Sequence, residues 1–379
     1  TWLVASIARP WLAEHRRDLT WARIRQAELD EADFNDPHHP GLPLHDENRR
    51  EHVEVIERLR RAGENTTGLF PQFASRASAL EQIDREDRAG SFAAGWTAGD
   101  ARYSIEALNN MISDSTGNPS LLANGYAWLA RMFAIVGEHD EADSAIAESR
   151  TWLSRSSASG PAFQVDASRA LIAGVRGRPP TPLPGALDVL SRDAQTRWAA
   201  LAVVASTALG FAHQGEASSA IELLDRVMVG VERAPGYSMN YPLIVCYCAE
   251  TLWQLDTTDE LSDLETNLRT KVIEPDIRYP EALPRLAMAR LCALDDRIDE
   301  AREWATGCRR VIEEQDTPPL VLQLEHFEAE LELRLGDDGD PERFRSALSR
   351  GRAACGHEAM APWLDRLLAL ESRAAEIGR

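Results

Sequence analysis

The densest group of potential metal ligands in this sequence is the stretch FNDPHHPGLPLHDENRREH at residues 34–52. It contains four of the nine histidines, His38, His39, His45 and His52, with carboxylates between them. Imidazole and carboxylate are both groups that zinc accepts as ligands. The spacing argues against zinc, because adjacent histidines diverge and neither an HExxH pattern nor a cysteine partner is present. We therefore predict no metal site and no cofactor.

The same stretch has a structural interpretation. Pro37, Pro40, Gly41 and Pro43 interrupt any helix at this point. Asp46 then stands directly before a helical pattern, where a carboxylate suits the positive end of the helix as an N-cap. The stretch is therefore predicted to be a linker, or hinge, between two helices.

The composition argues against several chemistries. The formal net charge is -20, from 61 acidic and 41 basic residues without a basic run, so direct binding to nucleic acid is not expected. Lys271 is the only lysine, and no GxxxxGK[ST] pattern surrounds it, which excludes that type of phosphate-binding loop. No GxSxG pattern occurs, and any cysteine–histidine pair would have to form in space. No apolar run is long enough for a membrane span. We predict no catalytic residues.

The five cysteines are odd in number and lie in apolar stretches such as LIVCYCAETLW. This pattern indicates reduced, buried thiols, as in a cytosolic protein. Cys246 and Cys248 form a Cys-x-Cys pair without a second pair nearby, which favours core packing over metal binding. The sequence begins at Thr1 without a basic and apolar leader, so we expect a cytoplasmic chain, as an entire protein or a fragment of a longer one.

Helices are the elements expected to position these side chains. Alternating strand patterns are nearly absent, while Ala, Leu, Glu and Arg dominate and apolar residues recur at i, i+3, i+4 and i+7. The predicted fold class is therefore all-α. Proline- and glycine-rich stretches predict breaks at residues 177–185, 233–242, 274–281, 316–319 and 336–342.

Three segments, at residues 130–146, 208–224 and 289–305, share one pattern of offsets. A small residue is followed after three positions by a larger one, after four more by Gly or Asp, and after five more by Ala. These are the offsets of a tetratricopeptide hairpin, in which small residues let two helices approach and the Gly ends the first helix. The positions are Ala130, Phe133, Gly137 and Ala142, then Ala208, Phe211, Gly215 and Ala220, then Ala289, Cys292, Asp296 and Ala301.

Fainter copies lie between these segments, at irregular spacings longer than a strict repeat. We therefore predict a right-handed superhelix of degenerate tetratricopeptide-like hairpins over residues 116–379. Residues 360–376 are predicted to form a terminal capping helix, and residues 1–115 an N-terminal helical segment that begins the same stack. The repeat spacings are measured between one small or apolar position in the second helix of each hairpin, namely Ala142, Ala186, Ala220, Leu261, Ala301 and Phe344.

Tetratricopeptide stacks bind ligands in a concave groove lined by the first helix of each hairpin. The position after the small residue should point into that groove, with further residues about a turn along the same faces. The mixture of positive and negative side chains argues against a groove that clamps the terminal carboxylate of a peptide. The alternative to a ligand-binding role is that these side chains are solvated or paired with one another. The predicted groove residues are Arg131, His213, Glu250, Trp253, Arg290 and Glu330, with Leu209 beside them.

Residues 195–370 resemble the C-terminal tetratricopeptide region of large actinobacterial signalling proteins. In those proteins a class III nucleotide cyclase or a LuxR-type DNA-binding module precedes an AAA-type ATPase and the helical array. The cyclase aspartates, the ATPase motif and the helix-turn-helix are all missing here, so the resemblance implies a sensor or scaffold segment. The similar pieces are RYP at 278–280, RLAMARLCAL at 285–294, DEAREW at 299–304, VIEEQ at 311–315 and PWLDRLLAL at 362–370.

Protein–protein interaction or effector sensing in a bacterial signalling or transcription-control protein is thus the expected function. The expected partner is a protein or peptide, or a small-molecule effector, with no direct contact to nucleic acid or membrane. Two alternatives remain. The array could bind a sugar-like molecule in its groove, or the chain could be an (α/α) toroid glycoside hydrolase with two carboxylates at its centre.

Overall fold

The structure is a computed structural model that describes residues 100–114, 118–156, 160–183, 197–233, 240–258, 261–273 and 281–376. These residues are helical with connecting turns and contain no β-strand. The predicted all-α class is therefore confirmed for the described part of the chain. The helices predicted before residue 100 and the histidine-rich stretch 34–52 lie outside it.

Thirteen α-helices lie within the described ranges, and three short helical turns extend or connect them. The α-helices are α1 Ala101–Asp114, α2 Pro119–Val136, α3 His139–Leu153, α4 Gly160–Val175, α5 Arg197–His213, α6 Ala217–Arg233, α7 Tyr241–Leu255, α8 Leu261–Leu268, α9 Ala282–Leu294, α10 Ile298–Glu314, α11 Leu320–Arg334, α12 Pro341–Ala354 and α13 Ala361–Glu376. A π-helical turn, Arg269–Ile273, extends α8, and 3-10 turns at Gly336–Asp338 and Glu358–Met360 precede α12 and α13.

The three segments with repeated offsets form helix hairpins, for a local reason. One residue in each turn has a positive φ angle, which is 89° at Gly137, 77° at Gly215 and 59° at Asp296. Glycine takes this conformation at little cost, and aspartate at a higher one. In the first turn the N–H of Glu138 then donates to the carbonyl of Phe133 at 2.8 Å, which closes the end of α2.

The small residues of the pattern lie where the two helices of a hairpin meet. Ala142, Ala220 and Ala301 have no exposed surface. At the fainter copies, Leu261 is buried and Phe344 is half-buried, while Ala186 lies outside the described residues.

The described helices form two layers. In the first layer α2, α4, α5, α7, α9 and α11 each pack against the next. In the second layer α3, α6, α8, α10 and α12 each pack against the helix that precedes them in the chain. This is the packing order of stacked helix hairpins, in which each unit buries its apolar faces against its neighbours.

The last helices also reach back to the first hairpin. The rings of His139 and His357 lie 4.9 Å apart between centroids. A Cβ added at Gly137 would stand 3.5 Å from Cγ of Pro319. The indole Nε1 of Trp363 donates to the carbonyl of Val175 at 2.8 Å. Helix α13, in the segment predicted to be a cap, packs on α11 and α12 and also contacts the end of α4.

One continuous apolar cluster runs from α1 to α11, and a smaller one lies between α11, α12 and α13. Helix α1 packs against α2. Within the described residues, none of the helices has the length and apolar character needed to cross a membrane.

Candidate functional site

Six described helices surround a small enclosed space, which we call the central cavity. Its volume is about 30 Å³, which is room for about two water molecules. The exposed residues Arg178 and Pro179 belong to its wall, so the cavity meets solvent at the loop after α4. The lining residues are Leu171, Gly174, Val175, Arg178, Pro179, Pro180, Leu209, His213, Leu243, Cys246, Tyr247, Glu250, Leu283, Arg290, Gln323 and Arg366.

Three predicted groove residues line this cavity from successive first-layer helices, namely His213 on α5, Glu250 on α7 and Arg290 on α9. Arg290 is only 6% exposed. Its Nη1 donates to Oε2 of Glu250 over 3.5 Å, which is a long hydrogen bond, and its Nε has no acceptor among the described residues. Burial lowers the pKa of His213, so its imidazole is neutral at neutral pH.

Trp253 and Glu330, two further predicted residues, form a buried pair beside the cavity. The indole Nε1 of Trp253 donates to Oε2 of Glu330 at 2.9 Å, and Nη2 of Arg334 donates to Oε1 at 2.9 Å. The guanidinium of Arg334 also lies 3.8 Å from the centre of the Trp253 indole. Burial alone would raise the pKa of Glu330, but the nearby positive charge and these hydrogen bonds keep it below its usual value.

The structure places the sixth predicted residue, Arg131 on α2, behind the cavity wall rather than in the lining. Its Nε donates to Oγ of Ser168 at 2.7 Å, and its Nη1 to Oδ1 of Asn240 at 2.8 Å. Its guanidinium lies 4.2 Å from the ring centre of Trp128. Burial lowers the pKa of Arg131 to about 9. Tyr247 partly offsets this lowering of the Arg131 pKa. Since Tyr247 also lines the central cavity, Arg131 lies next to the cavity wall.

Sequence reasoning missed four residues of this region: Gln323, His326, Trp363 and Arg366. Gln323 and His326 lie on α11, and Trp363 and Arg366 lie on α13. A local signal existed, because Trp363 and Arg366 are three residues apart and so share one face of α13. The guanidinium of Arg366 lies 4.7 Å from the indole centre of Trp363. Nothing in the sequence says that this face meets α4 rather than solvent.

A candidate metal cluster lies elsewhere, where Glu265, Cys292 and Glu300 bring ligand atoms within 4.8 Å of one another. Both carboxylates already accept hydrogen bonds from Arg297, and Arg269 binds both as well. Burial raises the pKa of Cys292 to about 12, which keeps the thiol protonated. Arginine pairing thus accounts for this cluster, and the residues do not fit a metal that needs a thiolate.

The two alternatives to sensing make different demands on the cavity. A sugar ring needs far more than about 30 Å³, so the cavity would have to open to admit one. A glycosidase needs a general acid whose pKa is raised. Glu330, the most enclosed carboxylate near the cavity, has its pKa held low instead.

Comparison with known proteins gives no relative for this chain. None of the protein-family models matches it, and neither the curated proteins nor the solved structures contain a match.

Proposed function

We propose that this chain is the effector-sensing module of a bacterial signalling or transcription-control protein, with no catalytic activity of its own. Its architecture would be a right-handed superhelix of tetratricopeptide-like hairpins. The two-layer packing order of the described helices supports this architecture. The resemblance of residues 195–370 to actinobacterial arrays supports the setting, which would be cytoplasmic, with a protein partner that receives the signal.

One observation carries the proposal. The central cavity is lined by five first-layer helices and also by Arg366 of α13. An occupant of the cavity would therefore contact the array and its C-terminal helix together. A ligand shifts an equilibrium only by its difference in affinity for the two states. Because undocking of α13 would remove one wall, an effector would bind the docked state better and stabilise it.

The test follows the docking of α13 in the whole chain. Peptides, sugars and small organic acids are first screened by thermal shift. Hydrogen exchange of the amides at 361–376 is then measured with and without each compound that raises the melting temperature. We expect at least one such compound to slow exchange in α13. If every stabilising compound leaves that exchange unchanged, α13 does not report on the cavity and the sensing proposal is wrong.

A second candidate function is the binding of a partner helix, and α13 itself favours it. This amphipathic helix is docked through Trp363, which is only 2% exposed and lies 2.8 Å from the carbonyl of Val175. A partner helix with a similar apolar face could replace it. A labelled peptide of residues 358–376 should then bind the Trp363→Ala chain more tightly than the unaltered chain, as measured by fluorescence anisotropy. Equal binding to both would contradict this candidate.

A further inference from the structure

We propose that the central cavity binds the carboxylate group of a small organic acid through Arg290 and Arg366. This inference rests on the proposed sensing function and names the chemical class of its effector. The mixture of charges in the sequence argued against a carboxylate clamp. That argument did not include Arg366, because Arg366 lies on α13, a helix that the sequence pattern predicted to be only a cap.

The charges around the cavity do not balance. Its described lining contains three arginines, Arg178, Arg290 and Arg366, and one carboxylate, Glu250. Glu330 lies nearby, but its two oxygens are engaged by Trp253 and Arg334. A buried charge without a counter-charge is costly. An anion in the cavity would remove this imbalance.

The hydrogen-bonding groups of the two arginines are also incompletely used. Arg290 is 6% exposed, has an unpartnered Nε and makes one hydrogen bond of 3.5 Å to Glu250. Arg366 donates no hydrogen bond to any residue that the structure describes and contacts the indole of Trp363. A guanidinium offers five N–H donors in a planar fork that matches the two oxygens of a carboxylate. Both arginines therefore have donors left for a ligand.

The size of the cavity restricts the ligand. A space of about 30 Å³ admits a carboxylate head group in place of water but not a phosphorylated sugar. The apolar side chains of Leu171, Leu209 and Leu283 also line the cavity and suit a short hydrocarbon tail. The exposed Arg178 at the entrance would attract the anion before it enters. Acetate fits these constraints, whereas a dicarboxylic acid such as succinate fits only with its second carboxylate extended toward solvent at Arg178.

The experiment uses the whole chain and measures the binding of acetate and succinate by isothermal titration calorimetry at constant ionic strength. Acetamide serves as the neutral analogue of acetate, and chloride as the simple anion. We expect heat from at least one acid and none from acetamide or chloride. Absence of heat from both acids, or equal heat from acetamide or chloride, would overturn the proposal.

Three variants test the assignment. Arg290→Gln and Arg366→Gln should each weaken acid binding by about tenfold or more, because each removes charge-assisted hydrogen bonds. Glu250→Gln should strengthen it by about fivefold or more, because it removes the internal competitor for Arg290. A purely structural role for Glu250 predicts no gain. Arg310→Gln, on the exposed face of α10, is the matched control and should bind as the unaltered chain does.

Failure of this inference can be told apart from failure of the sensing proposal. Acid binding that depends on both Arg290 and Arg366 but leaves the hydrogen exchange of α13 unchanged would support the carboxylate site and contradict sensing. A peptide or sugar that slows exchange in α13, while neither acid binds, would do the opposite. If Arg290→Gln fails to fold, the other two variants still test the carboxylate site. Arg366→Gln should lose affinity for the acid and Glu250→Gln should gain it.

Discussion

His326 on α11 is buried among groups of both charge signs, and burial opposes its protonation most strongly. Its ring lies 5.6 Å from that of Trp363, and its Nδ1 lies 3.7 Å from Oε2 of Glu330. Burial lowers its pKa to about 3, and the charges of Arg366 and Arg290 lower it as well, while Glu330 acts in the opposite direction. The native state therefore keeps this histidine neutral where the unfolded chain protonates it.

This difference makes stability depend on pH. Between about pH 6.5 and pH 3 the unfolded chain binds one more proton at His326, so the free energy of unfolding falls as the pH falls, by up to about 1.4 kcal/mol per unit. We expect His326→Gln to reduce the loss of stability between pH 7 and pH 5. Urea denaturation at both values measures it, with the exposed His357→Gln as control. An unchanged loss in His326→Gln would contradict the enclosed position of this ring.

A second prediction for single residues concerns the stability effect of substitutions in the hairpin turns. Asp296 has a φ of 59°, where the equivalent Gly215 has 77°. A Cβ added at Gly215 would have no atom within 4 Å, so only backbone strain opposes Gly215→Ala. We expect Gly215→Ala to lower the free energy of unfolding by about 1 kcal/mol. Asp296→Gly should leave it unchanged or raise it slightly, since relief of strain competes with unfolded-state entropy. Chemical denaturation of both variants measures the difference, and a loss at Asp296→Gly as large as that at Gly215→Ala would contradict the strain argument.

The last helices are held together by arginines around one enclosed carboxylate. Glu325 on α11 has no exposed surface and accepts hydrogen bonds from Arg309 of α10 and Arg350 of α12. Glu328, one turn later, binds the same two arginines but is 24% exposed. Three helices are thus joined through one buried acceptor and one partly solvated acceptor.

Removing the charge of Glu325 should destabilise this end of the chain more than removing that of Glu328. We expect Glu325→Gln to lower the free energy of unfolding by roughly 1.5 to 3 kcal/mol, because the fully buried acceptor loses its charge-assisted hydrogen bonds to two partly exposed arginines. Glu328→Gln should cost less than about 1 kcal/mol, because solvent screens the pair. Urea denaturation of both variants and of the double variant measures the difference. Equal costs would show that burial of Glu325 does not matter to the pair.

At the scale of the whole molecule, the contact of α13 with the end of α4 depends on Trp363. Its indole packs against Gly177, where an added Cβ would stand 2.8 Å from its Cγ, and against the ring of His326. We expect Trp363→Ala to lower stability by about 3 to 5 kcal/mol and to separate α13 from α4. Small-angle X-ray scattering should then show a larger radius of gyration. The half-buried Trp152→Ala, on α3, is the control and should leave the radius unchanged.

Much of the local structure could be predicted because its causes are local. The turn residues Gly137, Gly215 and Asp296 and the buried alanines of each hairpin are set by offsets within about 17 residues. The placement of Arg131 could not be predicted in the same way. The repeat offset gave its direction from α2, but its partners Ser168 and Asn240 come from later parts of the chain.

For the described part of the chain, the sequence alone determined that it forms helices, where the three hairpins turn, and which helices carry His213, Glu250 and Arg290. These features follow from the helical period and from short-range turn chemistry. Tertiary structure decided that α13 meets α4, so that Trp363 bonds to Val175 and Arg366 enters the cavity. That contact spans 188 residues and depends on small rotations summed over every hairpin between them. The residue pattern of a single repeat does not determine the total rotation over all the hairpins between α4 and α13.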